Sequence, residues 1–409
     1  MSLSRRALPV LLAAPALAQG APRVVVIGGG FGGTSAARSL HAQGIAVTLV
    51  EARDTYTACP LSNAVIAGLR PMAAQRFGYD GLRRAGVTVA HQAATSVEGR
   101  EVTLADGTRL PFDRLVLSPG IALRFDALPG YTEAASATMP HAWQAGAQTE
   151  LLARQLAEME DGGTVIMTVP ENPYRCPPGP YERASLIAYF LKTRKPRSKL
   201  LVLDAKDAFS KQRLFQAAWA ALYPGILEYV PLSSGGKVTA VDATNRRVST
   251  DFGDHEGAVV NVIPPQRAGD IARIAGVADR SLWCPISPEN FESRLVPGIH
   301  IIGDAAIAGA MPKSAFAANA QGRVCADAVA ALLRGTPLPT PRLLNTCYSL
   351  VAPDYGISIA GVYRPANGLW SDIPGAGGTS PLEAPAATRA AEARYAEDWF
   401  ATITADAFA

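Results

Sequence analysis

The sequence has little of what marks several large classes of protein. Only 18% of its 409 residues are charged and 7% are aromatic, and 38 basic residues nearly balance 35 acidic ones. A nucleic-acid-binding surface needs a clear excess of positive charge. After the N-terminal segment, no apolar run is long enough to span a bilayer. We therefore expect no nucleic acid partner and no transmembrane segment.

Cysteine is also scarce. No two cysteines have C-x-x-C spacing and none begins a C-x-x-C-H motif, so the chain lacks both a thioredoxin-type motif and a c-type haem attachment site. Their number is too small for a disulfide scaffold, and it is odd, which leaves at least one thiol unpaired. The five are Cys59, Cys176, Cys284, Cys325 and Cys347. We predict no metal site.

The N-terminus, MSLSRRALPVLLAAPALAQG, predicts an export signal at residues 1–18. Arg5 and Arg6 precede an apolar stretch, and small residues from Ala16 to Ala18 suit a cleavage site. The Ser-Arg-Arg start resembles a twin-arginine signal, the bacterial route for folded, cofactor-loaded proteins, with an ordinary secretory signal as the alternative. Either signal predicts a periplasmic protein.

A complete dinucleotide-binding β-α-β unit spans Pro22 to Glu51. A short apolar strand runs into three glycines at G-x-G-x-x-G spacing, and a predicted helix follows. Gly28 allows the tight turn, Gly30 lets the backbone approach a pyrophosphate, and Gly33 lets the helix pack against the strand. The helix directs its N-terminal N–H groups at that phosphate. After a second strand, Glu51 stands where an acid binds a ribose 2′-OH.

Strand and helix patterns predict an α/β fold with two Rossmann-like dinucleotide-binding domains and a small C-terminal α+β domain. Residues 22–140 are the first part of a discontinuous FAD-binding domain, which residues 263–335 complete. Residues 141–262 form the second Rossmann-like domain. Residues 342–409 form the C-terminal domain, at the interface with flavin and partner.

The second Rossmann-like domain lacks the glycines of the first. Its first predicted strand, Thr164 to Val169, leads into Pro170-Glu171-Asn172-Pro173. Prolines have no N–H donor to offer a pyrophosphate. We therefore predict that this domain does not bind NAD.

Three more residues are predicted to contact FAD. Asp304 follows an apolar strand, where many FAD enzymes present an aspartate to the ribityl chain, although a simple strand-end turn is the alternative. Lys313 and Ser314 open an Ala-rich helix that extends to about Leu333, with Ser314 as the N-cap. A helix start near the cofactor would stabilise an anionic reduced flavin.

Several long segments of the chain resemble one family. They are VVVIGGGFGG, CPLSN, GYDGLRRAGV, RCPPGPYERAS, NVIPPQRAGDIA, GDAAIAGAMPKSAFAANAQG and LNTCYSLVAPDYGISIAGVYRP. Along nearly its whole mature length the chain resembles the flavoprotein subunit of flavocytochrome c sulfide dehydrogenase. The resemblance implies a glutathione-reductase-like fold, an FAD cofactor, sulfide or a related reduced sulfur species as substrate, and a periplasmic partner that carries c-type haem.

The resemblance also implies roles for three cysteines. FAD would be linked through its 8α-methyl group to Cys59, and Cys176 with Cys347 would form a redox-active disulfide. The residues alone leave alternatives open: Cys59 as an exposed loop thiol, and the other two as a structural staple, since their spacing does not fix the pairing. Cys284 and Cys325 would then be unpaired and buried.

Charged residues near Cys176 are candidates for the chemistry. Glu182, in the first turn of the next predicted helix, is a candidate for handling protons or shaping the pocket, with a solvated helix-start carboxylate as the alternative. Arg175 and Arg183 would attract the sulfide anion, or are surface charges.

The predicted function is FAD-dependent sulfide oxidation through the disulfide, with transfer of electrons to a c-type cytochrome subunit. One alternative is a flavin-carrying accessory subunit without independent turnover. Another is a sulfide:quinone reductase, which needs an apolar membrane-facing element. The C-terminal helix argues against it because it carries Glu392, Arg394, Glu397 and Asp398.

Overall fold

The computed structural model describes residues 21–409, so the export signal predicted for residues 1–18 lies outside the described residues. Along the described part of the chain, no helix combines the length and the apolar character that crossing a bilayer requires.

The first sheet is parallel and carries the glycine motif. Its five strands, in spatial order, are Ile299–Ile301, Arg114–Leu117, Arg23–Ile27, Ala46–Val50 and Thr88–Ala90. The edge strand Ile299–Ile301 comes from far along the chain, so this body is discontinuous in sequence. The apolar side chains of the central strand are all buried, as expected when helices cover both faces.

The helix Phe31–Ala42 packs on this sheet, and the helix Ala315–Arg334 packs against that helix. The sequence predicts the helix after the glycine motif from about Gly33 to Gln43, and the observed helix begins two residues earlier. A Cβ on Gly322 would lie 2.4 Å from the carbonyl oxygen of Gly32, so the two helices touch through glycines. The predicted N-cap at Ser314 is confirmed, since its hydroxyl accepts a hydrogen bond from the Ala317 N–H at 3.0 Å.

The second sheet is also parallel. Its strands, in spatial order, are Leu227–Val230, Lys199–Asp204, Thr164–Val169 and Val259–Val262. The accompanying helices are Ala147–Glu158, Gly179–Arg194 and Gln212–Leu222. An antiparallel meander follows, made of Val238–Asp242, Arg247–Thr250 and Gly253–Glu256. The sheet confirms a second Rossmann-like body.

The C-terminal region is built on one long hairpin and one long helix. The strands are Leu343–Ala352, Tyr355–Ala366, Leu369–Asp372 and Gly378–Thr379, and the helix is Ala386–Phe408. The sequence predicts this terminal helix from Ala386 to Phe400, and the predicted end is too early. The helix continues because Phe408 packs against the aromatic rings of Tyr56 and Phe77, at centroid distances of 5.2 and 5.3 Å.

Shorter elements connect these bodies. The Asp106-Gly107 pair in the sequence predicts a hairpin, and the structure confirms it, with Gly107 at φ +85° in the turn. The remaining short strands are Thr55–Thr57, Arg76–Gly78, Ala94–Glu98, Glu101–Leu104, Arg109–Pro111, Ile121–Leu123, Gln266–Ala268, Cys284–Pro285 and Ala306–Ile307. The short helices and 3-10 turns are Ser62–Ile66, Met72–Gln75, Asp80–Arg84, Phe125–Ala127, Ala135–Ala137, Leu232–Ser234, Asp270–Ile274 and Gly303–Ala305.

Candidate functional site

A cavity of about 280 Å³ lies where the carboxyl end of the first sheet meets the helix Gly179–Arg194 and the C-terminal hairpin. Residues from widely separated parts of the sequence line it. They include most of the predicted site residues, namely Gly28, Gly30, Glu51, Cys59, Cys176, Glu182, Asp304, Ser314 and Cys347.

The glycine loop fits a nucleotide cofactor. A Cβ on Gly33 would lie 1.8 Å from the Gly28 carbonyl oxygen, so only glycine allows this helix to start against the strand. Gly28 has φ +105° and no room for a side chain, since its Cβ would meet the Ser118 carbonyl oxygen at 2.2 Å. A Cβ on Gly30 would come no closer than 3.4 Å, to Tyr56. Packing within the fold therefore requires glycine less strictly at position 30 than at positions 28 and 33. A glycine at position 30 is consistent with close approach of a ligand to the backbone there.

Two carboxylates on the cavity wall fit the hydroxyl groups of FAD. Glu51 accepts hydrogen bonds from the N–H groups of Gly29 (2.9 Å) and Arg53 (3.1 Å), which hold it beside the glycine loop. Asp304 has a buried Oδ1 atom without a hydrogen-bond partner in the described residues, and burial raises the pKa of its carboxyl group. A buried acceptor of this kind is costly unless a ligand donates to it.

Lys313 supports the cofactor site from outside the cavity wall. Its ammonium donates to the carbonyl oxygens of Asp304 (2.7 Å) and Ala306 (2.8 Å) and lies 3.9 Å from the centroid of the Trp283 ring. Burial lowers the pKa of Lys313 to about 8. The side chain is bonded to the backbone of the Asp304 turn, and a direct contact of Lys313 with the cofactor stays a prediction.

A buried glutamine holds the Cys59 loop. The side-chain amide of Gln75 donates to the carbonyl oxygens of Ala58 (2.9 Å) and Pro60 (2.6 Å), one on each side of Cys59. The half-buried thiol lies 4.0 Å from the carbonyl oxygen of Trp143 and lines the cavity. Cys59 is therefore presented to the cavity rather than to open solvent.

Cys176 is held in a strained turn. It has φ +59°, uncommon for a residue with a side chain. Its N–H donates to the Lys313 carbonyl oxygen at 2.7 Å, and its own carbonyl accepts from the Gly179 N–H at 2.8 Å. Burial raises the pKa of its thiol above the ordinary range, and the nearby Cys347 raises it further.

Cys347 lines the same cavity, although it lies far from Cys176 in the sequence. It lies on the strand Leu343–Ala352, and the side-chain amide of Asn345 is 3.3 Å from its sulfur. The Ser314 hydroxyl donates to the side-chain oxygen (Oδ1) of Asn345 at 2.5 Å. In the structure both Cys176 and Cys347 are free thiols, so their pairing stays a prediction.

Glu182 is buried, and the alternative of a solvated helix-start carboxylate is wrong. The residue is 9% exposed, and its carboxylate accepts from the Asn63 side-chain amide (2.8 Å) and the Leu350 N–H (2.9 Å). Burial raises the pKa of Glu182. A buried carboxyl group with a raised pKa is a candidate for proton exchange in catalysis.

Neither candidate arginine is a plain surface charge. Arg183 is 2% exposed and donates to the side-chain oxygens of Asn63 (3.0 Å) and Asn261 (3.1 Å) and to the carbonyl of His141 (2.9 Å). These bonds engage its donors, so capture of a sulfide anion by Arg183 is not supported. Arg175 donates to the Trp143 carbonyl oxygen and lies 4.0 Å from Asp304.

Three family models match the chain. The model "Sulfide dehydrogenase [flavocytochrome c] flavoprotein chain, central" matches residues 149–264, and "Flavocytochrome c sulphide dehydrogenase, flavin-binding" matches residues 339–408. The model "Pyridine nucleotide-disulphide oxidoreductase" matches residues 22–156. The sulfide dehydrogenase flavoprotein chain of Chlorobaculum thiosulfatiphilum is 54% identical over 48 residues, which are 11% of this chain and 100% of that relative. The chain belongs to the flavocytochrome c sulfide dehydrogenase flavoprotein family.

More distant relatives share the fold of this flavoprotein. The mitochondrial sulfide:quinone oxidoreductase of Mus musculus is 22% identical over 298 residues, 69% of this chain and 65% of that protein. The sulfide:quinone oxidoreductase structure from Aquifex aeolicus has a TM-score of 0.70 at 16% identity and covers 94% of this chain and 92% of its own. A ferredoxin reductase from Rhodopseudomonas palustris has a TM-score of 0.60 at 17% identity, covering 83% and 82%. These likenesses confirm the predicted fold class.

Sequence reasoning missed the residues that hold the loops of the flavoprotein in place. Gln75 clamps the Cys59 loop, and Asn63 joins Glu182 to Arg183. Trp143 lies on the cavity wall, and its backbone N–H donates to the His141 side chain. No local motif marks any of them, because each acts on a segment distant in sequence or on a loop without regular structure.

We expect the flavoprotein to lose stability in acid because of two buried histidines. Burial lowers the pKa of His141 to about 3 and that of His300 to about 4. Both are neutral in the folded protein and take up protons on unfolding below a pH of about 6.5, so stability is present above that pH and falls as the pH falls. Each histidine should contribute a slope of about 1.4 kcal/mol per pH unit.

Urea unfolding between about pH 7 and pH 5 measures this slope. His141→Gln should remove about half of the histidine contribution, whereas His255→Gln, in the outer meander, should leave the wild-type slope. An unchanged slope in His141→Gln would show that this histidine is already protonated in the fold.

Proposed function

We propose that this flavoprotein is a periplasmic FAD-dependent sulfide dehydrogenase. It oxidises sulfide through a redox-active disulfide of Cys176 and Cys347 and passes electrons to a c-type cytochrome subunit. The observation that carries the proposal is the meeting of Cys59, Cys176 and Cys347 with the glycine motif around one cavity. Family membership supports the substrate and the cytochrome, and the predicted signal at residues 1–18 supports the compartment.

The proposed domain division follows the sequence. Residues 22–140 and 263–335 bind FAD, residues 141–262 form the second Rossmann-like domain, and residues 342–409 bring Cys347 and the final helix to the cavity. Gly28 and Gly30 face the pyrophosphate, Glu51 a ribose hydroxyl and Asp304 the ribityl chain, and Ser314 starts the helix beside the ring. A thioether to Cys59 keeps the cofactor in a compartment where lost FAD is not readily replaced.

The sulfur chemistry belongs to the cysteine pair. Hydrosulfide attacks one sulfur of the disulfide, the S–S bond breaks, and its electron pair leaves on the other cysteine as a thiolate, while the attacked cysteine becomes a persulfide. A sulfur nucleophile such as a second hydrosulfide takes the outer sulfur of the persulfide, which leaves thiolates on both cysteines. Loss of two electrons from these two thiolates restores the S–S bond. FAD held by the cavity residues would supply the two-electron acceptor for this oxidation and would link it to a one-electron haem partner.

Glu182 is our assignment for the proton acceptor in this sequence of steps. It lies in the first turn of the helix that follows Cys176, and it accepts a hydrogen bond from the backbone N–H of Leu350 on the strand that carries Cys347. Its carboxyl group therefore contacts both elements of the pair. Burial raises its pKa, which allows it to take the proton of hydrosulfide and release it later.

The second Rossmann-like domain is a poor site for a nicotinamide cofactor. Asp204, at the end of its second strand, is fully buried and accepts from the hydroxyls of Tyr181 (2.6 Å) and Tyr229 (3.1 Å) and from the Lys206 ammonium (2.6 Å). The Phe209 ring stacks on Tyr181 at 3.5 Å. Side chains thus occupy the carboxyl end of this strand, in addition to the prolines of the preceding loop.

A comparison of electron donors tests the proposal. Under anaerobic conditions sulfide should bleach the flavin within seconds. Reduction of the flavin by NADH should be slower by at least about a hundredfold, because the second domain offers the nucleotide no phosphate-binding loop. Addition of an oxidised c-type cytochrome should restore the flavin colour. Comparable rates with NADH would overturn the reading of the second domain, and failure of sulfide to bleach the flavin would favour an accessory subunit without turnover.

A further inference from the structure

Lys211 is a buried cation without an acidic partner. The residue is 7% exposed and precedes the helix Gln212–Leu222 with a left-handed backbone, φ +62°. Its ammonium donates to the carbonyl oxygen of Cys347 (2.8 Å), to the Ser349 hydroxyl (2.8 Å) and to the carbonyl oxygen of Ile357 (3.4 Å). Among residues 21–409 no carboxylate lies within 4.0 Å of it.

Another buried lysine shows what a purely structural pairing looks like. Lys206 is 9% exposed, and its ammonium is 2.6 Å from the buried carboxylate of Asp204. Lys211 has only neutral oxygens as direct partners, although burying an unpaired charge is expensive. A strained backbone combined with an unpaired buried charge is typical of a residue kept for function.

The charged and titratable groups around Lys211 belong to the proposed sulfur site. They are Cys347, Glu182 and Cys176, with Glu392 of the final helix. Burial lowers the pKa of Lys211 to about 8, and negative charge on these groups opposes the shift. Near neutral pH the side chain is therefore mostly an ammonium ion.

The sulfur of Cys347 has a second source of stabilisation. The Asn345 side-chain amide is 3.3 Å from this sulfur, and the Ser314 hydroxyl fixes the other end of the amide. An amide N–H stabilises a sulfur anion but does not neutralise it. The nearby ammonium, bonded to the backbone of the same cysteine, supplies the missing charge.

We propose that Lys211 is a positioning residue that places a positive charge beside Cys347 and so favours negative charge on its sulfur when the disulfide opens. The purpose of this charge rests on the proposed function, since opening the disulfide places an electron pair on one of the two sulfurs. The test of the inference is independent of that function, because the reactivity of a free thiol is measured without sulfide turnover.

The test is alkylation of the reduced holoprotein by iodoacetamide, an uncharged reagent, with quantification at Cys347 by peptide mass spectrometry. At about pH 7, Lys211→Met should slow alkylation of Cys347 by at least about tenfold, and Lys211→Arg should recover most of the rate. At about pH 10, where thiols ionise without help, Lys211→Met and wild type should react at similar rates.

A matched control separates charge from packing. Lys195→Met removes another ammonium that binds backbone carbonyl oxygens, those of Ala157 and Met159, and should leave the alkylation of Cys347 unchanged. Lys211→Gln is the second neutral variant, for use if Lys211→Met does not fold. A folded neutral variant that alkylates at the wild-type rate near neutral pH would overturn the proposal, and so would a slowing that persists at high pH. Absence of a disulfide in the oxidised protein would contradict the proposed function, but the alkylation rates would still test the effect of Lys211 on Cys347.

Discussion

Cys176→Ser and Cys347→Ser are each expected to lower the rate of flavin reduction by sulfide more than about a hundredfold, while dithionite still reduces the flavin. Serine removes the S–S bond that hydrosulfide attacks but leaves the cofactor site intact. The buried Glu182 and the strained turn at Cys176 remain in both variants. Stopped-flow absorbance of the flavin under anaerobic conditions measures the rate.

Buried cysteines outside the cavity provide the control. Cys284 and Cys325 are both fully buried, and neither lines the cavity. Cys284→Ala and Cys325→Ala should therefore reduce the flavin with sulfide at rates near wild type. Near-normal rates in both Cys176→Ser and Cys347→Ser would mean that the pair is structural.

Cys59→Ala is expected to release essentially all of the flavin when the protein is precipitated with acid, whereas the wild-type pellet should stay yellow. The prediction follows from the position of Cys59, whose thiol is held on the cavity wall by the two bonds of Gln75. The flavin absorbance of pellet and supernatant gives the fraction bound.

Gln75→Leu refines this prediction. The variant keeps the thiol but removes the amide that fixes the backbone on both sides of it. We expect a fraction of linked flavin between those of wild type and Cys59→Ala. Full release of flavin from the wild-type protein would show that Cys59 is not the attachment site.

The parts of the fold predictable from the sequence are those that local chemistry determines. The strand Thr164–Val169 has the predicted bounds, and Ser314 is the predicted N-cap. Gly33 is required by a contact within its own loop, with the carbonyl oxygen of Gly28, which is why a spacing rule finds it. Elements of this kind carry their signal in a few neighbouring residues.

The rest of the site depends on tertiary packing. Burial of Glu182 follows from Asn63 and Leu350, which are far from it in sequence, and no periodic pattern relates the three. Lys211 lies at the start of an amphipathic helix, where the sequence alone predicts a solvated lysine. In the structure the C-terminal hairpin covers its side chain. The final helix extends to Phe408 because aromatic residues of the first body receive its end.

The most direct measurement is peptide mapping of the wild-type holoprotein without reducing agent, before and after one equivalent of sulfide under anaerobic conditions. We expect a cross-linked peptide that joins Cys176 and Cys347 before sulfide is added. After the addition, the cross-link should decline and one of the two cysteines should carry an extra sulfur atom. Two free thiols in the oxidised protein, with no sulfur added by sulfide, would contradict the proposed mechanism.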